Sequence, residues 1–233
     1  MPEFLIFTLS AAFASFGDVA GHERRGSWTW PGRSAILGLL AAAQGIRRDG
    51  DFAALDALRL AVAVFETGAP MRDYHTVQTV PTKEPKRPQS RPEALRQAGK
   101  AANTTITHRD YRTGVLFGVA VAGEGLHALA AALEAPAFHL YLGRKACPLN
   151  APLSPWVGAA ETPEAALRHL CLPPWAEGQT ARTLYADAGL PGGAPERVET
   201  RHDAPLDRRL WHFAPRAVVT RGVEITPDPC EAP

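Results

Sequence analysis

The chain is predicted to be an α+β protein with a ferredoxin-like core, an antiparallel sheet backed by two helices. Two observations carry that prediction. Apolar patterns over residues 1–150 follow the order β-α-β-β-α-β, and two of them are amphipathic at helical spacing. A long excursion rich in Pro, Lys and Arg interrupts the middle hairpin.

Taken in order, Glu3–Leu9 (EFLIFTL) reads as a buried strand, short and rich in Phe and Ile. Asp18–Trp30, with Gly21 and Gly26, reads as a loop. In PGRSAILGLLAAAQGIRR, Pro31 suits a first helical turn and Ile36, Leu37, Leu40 and Ala43 share one face. Gly45 suits the stop, and Gly38 is expected where the helix packs closely on the sheet. A short helix over Asp51–Leu58 leads to the strand Leu60–Phe65. Arg72–Val80 is a further strand with Tyr74, Thr76 and Gln78 on one face.

Residues 81–103 hold four prolines, six basic residues and only Leu95 among the larger aliphatics, too little apolar surface to fold alone. Thr104–Tyr111 and Val115–Val121 return to strand composition. Leu126, Leu129, Ala130 and Leu133 follow at i, i+3, i+4, i+7 as an amphipathic helix ended by Pro136. Phe138–Leu142 is the last predicted strand, before the basic turn Gly143-Arg144-Lys145. The RRM, which binds single-stranded RNA, shares this layout, although the fold alone assigns no function. Residues 151–233 read as a small, loop-rich β region. It carries a helix over Thr162–Leu170 and strands at Leu210–Phe213, Ala217–Thr220 and Gly222–Ile225. They form either a second domain or an extension of the first sheet.

The formal net charge of +1 over 233 residues hides a segregation. Residues 22–48 carry five arginines against one glutamate, and 81–113 carry eight basic residues against three acidic. Residues 151–208 reverse the sign, with five against eight. A polyanion would therefore be held by the first two-thirds of the chain, in a salt-dependent manner. No apolar run approaches the ~20 residues that span a bilayer, so no membrane partner is expected and the chain reads as soluble and cytoplasmic. Cys147, Cys171 and Cys230 form no close pair in sequence, which indicates neither a disulfide framework nor a zinc knuckle.

Catalytic patterns are sparse. HExxH, CxxC, a phosphate loop and a GxSxG elbow are all missing from the sequence, and no cofactor or metal is indicated. The helix start at Arg33–Ser34 offers N–H donors to a phosphate. Metal-free RNA cleavage needs a base, an acid and a cation, which His75, Tyr111 and Lys145 could supply if the fold gathered them. Otherwise Tyr74 and His75 are ordinary strand residues, one packed and one hydrogen-bonded. Cys147 reads as a small buried residue, and Trp28 and Trp30 as core aromatics with base stacking as the alternative.

Several motifs in fixed order carry a family resemblance. They are the Gly17 loop with Glu23-Arg24-Arg25, the run Pro31–Ala43 with Gly45–Asp49, Arg72–Thr76 (RDYHT), Thr104–Tyr111 (TTITHRDY), and Tyr141–Pro148 (YLGRKACP) with Pro152-Leu153. On these the chain resembles the CasD family, RAMP-type subunits of the type I-E CRISPR Cascade surveillance complex, clearly over residues 3–153. It thins after that to Asp203, Pro205 and Arg209–Arg216.

The resemblance implies a RAMP domain over 1–150 with a β-hairpin thumb at about 77–110. It also implies a non-catalytic role: holding the 5′ handle of the CRISPR RNA and capping the row of backbone subunits, in contact with the large subunit. The expected RNA-binding residues are Arg24, Arg25, Arg33, Ser34, Tyr74, His75, Arg109, Arg144 and Lys145. The thumb and Arg47–Arg48 could help hold target DNA. A sister branch processes CRISPR precursor RNA, so a metal-independent endoribonuclease is the alternative. A structural connector that touches RNA only incidentally is the third class.

Overall fold

The computed structural model describes residues 1–20, 23–81, 87–208, 210 and 212–230. Gly21 of the predicted loop, Lys83–Lys86 of the basic excursion and Arg209 lie outside them. In chain order the elements are β1 (Glu3–Ala14), β2 (Phe16–Ala20), β3 (Arg24–Trp28), α1 (Arg33–Ala43), α2 (Ala53–Asp56), β4 (Arg59–Glu66) and β5 (Ala69–Thr79). They continue with α3 (Arg91–Ala98), β6 (Asn103–Ala122), α4 (Leu126–Glu134), β7 (Trp156–Ala159), α5 (Pro163–Ala166), β8 (Ala181–Asp187), β9 (Arg197–Asp207) and β10 (His212–Ile225). The result is a mixed α/β protein dominated by one large sheet. Among the described residues no helix is long and apolar enough to cross a membrane.

β1 is apolar almost throughout because both of its faces are buried. Leu5, Phe7 and Leu9 face α1 and α4, where they meet Ile36, Leu37, Leu40, Leu126, Leu129 and Leu133. Phe4 and Ile6 point to the other side and join a second core with Leu167, Leu170 and Leu184. The strands β7, β1, β6, β4, β8, β10 and β9 lie side by side in that order, all neighbours antiparallel. β6 is unusually long and does two jobs. Its inner half lies between β1 and β4, with Val121 opposite both Leu5 and Leu60. Its outer half leaves that core as a two-stranded ribbon with β5, from Ala69↔Thr113 to Thr79↔Asn103.

Several expectations are corrected. The segment Asp18–Trp30 is not a plain loop: β2 and β3 pair with each other there, and β3 runs parallel to β6. Phe138–Leu142 forms no strand. Its backbone is committed to a turn, with Leu142 N–H donating to Cys147 O and Leu142 O accepting from Ser15 N–H, and the place beside β1 goes to β7. Gly38 does not pack on the sheet, since a Cβ there would meet nothing within 4 Å. Within the basic excursion α3 forms, because Ser90 caps it by accepting from Glu93 N–H while the Glu93 carboxylate accepts from Gln89 N–H. The tail adds β8, β10 and β9 to the first sheet through the β4–β8 pairing. Cys171 and Cys230 are disulfide-bonded across 59 residues, a contact that sequence spacing does not reveal.

Candidate nucleic-acid interface

Strand register assembles the site where the ribbon leaves the core. Antiparallel pairing sets Arg72 opposite Asp110, Asp73 opposite Arg109 and Tyr74 opposite His108. On the other side of β6, the parallel pairing of β3 sets Arg24 beside His108 and Arg25 beside Arg109, with His108 N–H donating to Glu23 O at 2.7 Å. Three sequence-distant segments therefore bring four arginines to the base of the ribbon, Arg24 and Arg72 on the face of Asp110 and Tyr74, and Arg25 and Arg109 on the opposite face.

A fourth segment supplies Arg144. Gly143 makes this possible, since it sits at φ +82° and a Cβ there would fall 1.7 Å from Ser15 O. The turn it permits carries Arg144 over the Tyr111 ring at 4.5 Å, with Nη1 3.4 Å from the backbone carbonyl of Asp110. The Ser15 hydroxyl donates to the same carbonyl at 3.1 Å.

Asp110 is the hub. Its carboxylate accepts from Arg24 Nε and Nη2 at 3.0 and 2.8 Å and from Arg72 Nε at 2.7 Å. The Arg72 hydrogen bond, aided by Arg24, outweighs burial and holds its carboxyl down at about 2. The two side chains it organises remain 63% and 52% exposed, against 16% for Asp110. Each guanidinium thus keeps donors for a second anion. Arg109 adds an Nε that is buried and has no hydrogen-bond partner among the described residues. Tyr74 stands well exposed, edge-on to His108 at 5.5 Å. A cationic patch with an exposed aromatic beside it suits a single-stranded polyanion, through phosphate contacts and base stacking.

Of the nine expected residues, Arg24 and Tyr74 share the Asp110 face at the base of the ribbon, and Arg25, Arg109 and Arg144 lie on its other face, Arg144 over Tyr111. Arg33 does not. Its side chain is buried, with Nη1 2.9 Å from Asp187 and Nη2 2.6 Å from Asp56 O, and burial lowers its pKa. Nor does Ser34, which lines a separate groove of about 640 Å³, as does Lys145. His75 is half-buried and lies opposite Thr107 on the ribbon. Tyr111 lies four residues back along β6, about 13 Å at the usual strand rise, so the proposed acid–base trio is not gathered. Cys147 is buried and burial pushes its thiol up, which removes it as a nucleophile. Arg72, Asp110 and His108 are not among the nine, although each lies in a motif that carries the resemblance; hairpin register between RDYHT and THRDY is the signal that joins them. Among the described residues no group of three or more His, Cys, Asp or Glu could hold a metal ion.

Comparison with known proteins narrows the reading. The family model described as CRISPR-associated protein (Cas_Cas5) matches residues 4–219. The chain is 32% identical over 186 residues to CRISPR system Cascade subunit CasD of Escherichia coli (strain K12), covering 72% of this chain and 76% of that one. It is similar to a chain of a solved CRISPR RNA-guided surveillance complex, with a TM-score of 0.69, 25% identity, and coverage of 97% of this chain and 94% of that one. A solved Cas protein gives a TM-score of 0.65 at 27% identity, with 97% and 98% covered.

Proposed function

The chain belongs to the CRISPR-associated Cas5 family, and from that premise we propose that it is a non-catalytic RNA-binding subunit of a type I-E Cascade surveillance complex. In this reading it grips the 5′ handle of the CRISPR RNA and caps the row of backbone subunits, next to the large subunit. The order β7–β1–β6–β4, backed by α1 and α4, supports a ferredoxin-like RAMP core. The β5–β6 ribbon with α3 beyond it supports the role of a thumb.

One observation carries the proposal: five arginines from four segments converge on the base of that ribbon, with Arg24 and Arg72 already oriented by Asp110. Phosphates would dock on Arg24 and Arg72 on one face of the ribbon base and on Arg25, Arg109 and Arg144 on the other. Tyr74 would stack on an unpaired base, a contact worth about 1–3 kcal/mol. The handle's sequence would be read from base edges that a single strand exposes.

The test is binding of the full chain to a repeat-derived handle RNA against a scrambled RNA of equal length. Preference for the handle, lost in Arg24→Ala/Arg144→Ala, is the expected result. Equal binding to both RNAs would favour a connector. The same incubation in EDTA, run on a denaturing gel, should show intact RNA; one discrete cut abolished by His75→Ala would make the endoribonuclease reading correct instead.

A further inference from the structure

A column of stacked planes stands at the far end of β3. The Arg201 guanidinium, from β9, packs on two indoles at once, 4.1 Å from the Trp28 ring centre and 4.6 Å from that of Trp30. Trp30 in turn lies flat on Tyr185 of β8, with centroids 4.3 Å apart and planes within 6°. The inner members are enclosed: Trp30 is buried, Tyr185 is half-buried, and the Arg201 side chain is 11% exposed. The outermost plate differs, since Trp28 keeps 40% of its surface exposed.

A column that served only to tie the segment around Trp30, just past β3, to β8 and β9 would need the cation and that inner ring, not an exposed indole at its end. Arg201 holds the Trp28 ring by a cation–π contact, so the plate is ordered before anything binds and loses little freedom on binding. Position fits as well. Residues two apart on a strand share a face, so Trp28 lies on the same side of β3 as Gly26 and Arg24. The distance along the strand is about 13 Å. That is no more than about four stacked nucleotides. A strand anchored by phosphate at Arg24 therefore reaches Trp28 without a detour.

We propose that Trp28 is a stacking platform for one unpaired nucleobase of the bound RNA, with Arg201 as the positioning residue behind it. This rests on the RNA-binding reading above and adds a subsite to it, along β3 from Arg24, whereas Tyr74 lies across the sheet from Arg24 on β5.

The test uses the full chain with Trp28→Ala and Trp28→Phe, the handle RNA, and a set of the same RNA carrying one abasic nucleotide at each position in turn. Trp28→Ala should bind about 5- to 150-fold more weakly than wild type at an unchanged salt slope, because no charge is lost. Trp28→Phe, which keeps a π-face, should restore most of the affinity. At one position, removal of the base should weaken wild type to a similar degree and leave Trp28→Ala unaffected. The proposal is overturned, with RNA binding intact, if no abasic position couples to Trp28, or if both variants lose melting temperature and affinity together. Wild-type chain that binds no RNA overturns the reading and the subsite alike.

Discussion

Arg33 is the position where a structural and an RNA-binding role predict opposite outcomes. Arg33→Met keeps the apolar stem of the side chain and deletes its guanidinium. Lost with it are the ion pair to Asp187 Oδ2 at 2.9 Å and the donation to Asp56 O at 2.6 Å. Breaking a buried pair by removing one partner costs about 3–5 kcal/mol, most of it for the charge left behind. Asp187 keeps the Leu60 N–H at 2.9 Å and the Arg216 guanidinium, which places the loss near the lower end, about 3 kcal/mol. For a chain of this size that lowers the melting temperature by roughly 6–12 °C. Thermal unfolding measures it, and RNA titration at two salt concentrations supplies the second readout. The affinity of the folded variant and its salt slope should match wild type. Adding Asp187→Asn to make the double variant should cost less than the two single losses summed, since the residues share one network. A melting temperature within about 2 °C of wild type, together with a flatter salt slope, would refute the buried-pair argument and return Arg33 to the phosphates.

Arg144→Ala should do the reverse, leaving stability within about 0.5 kcal/mol and flattening the salt slope by about 0.7, one phosphate's worth on a single strand; an unchanged slope removes Arg144 from the interface. Asp110 has a depressed pKa, so its ion pairs contribute stability that is complete above about pH 4 and is lost as pH falls through about 2. Urea unfolding at stepped pH should accordingly show a constant gap between wild type and Asp110→Asn from pH 8 to about 4, closing towards 2; a gap that changes between pH 5 and 8 would contradict the assignment. Opening the Cys171–Cys230 link frees a long loop, worth about 4 kcal/mol by chain entropy, so Cys171→Ser or a reductant should lower the melting temperature, and a denatured, unreduced chain should show one titratable thiol, that of Cys147, rather than three.

What could be read from the sequence was what is local. The apolar run of β1, the Leu126–Leu133 spacing of α4 and the inner half of β6 announce their own periods, and each forms where expected. Errors arose where a segment's backbone partners lie elsewhere. Phe138–Leu142 has strand composition, but its hydrogen bonds go to Cys147 and Ser15, so no ladder can form. β8 and β9 are not announced by the sequence because their neighbours are rich in Pro and Gly and their partner strands are remote. Arg33 shows the same limit at the level of one side chain: a basic residue at a helix start looks exposed until Asp187, 154 positions on, is brought beside it. Arg24, Arg25, Arg109 and Arg144 were legible as a basic set, yet their convergence depends on strand register, which composition does not contain.

The register raises a difficulty of its own, since Arg24 and Arg72, brought to one face, repel each other in the absence of ligand. Asp110 resolves it by sitting between Arg24 and Arg72 and accepting from both. A carboxylate buried between them would have consumed their charge. This one is reached from the side, so both side chains stay more than half exposed and keep outward donors. The acid therefore acts as a spacer that fixes two cations for a third group, and the same β6 residue anchors the remaining arm, because its carbonyl meets Arg144 and Ser15. Substituting a neutral isostere at Asp110 would leave more net positive charge at the patch yet remove the order in it. If RNA binding is governed by attraction alone, Asp110→Asn should bind more tightly; if it is governed by the placement of Arg24 and Arg72, the variant should bind more weakly despite its extra charge, and the geometry argues for the second.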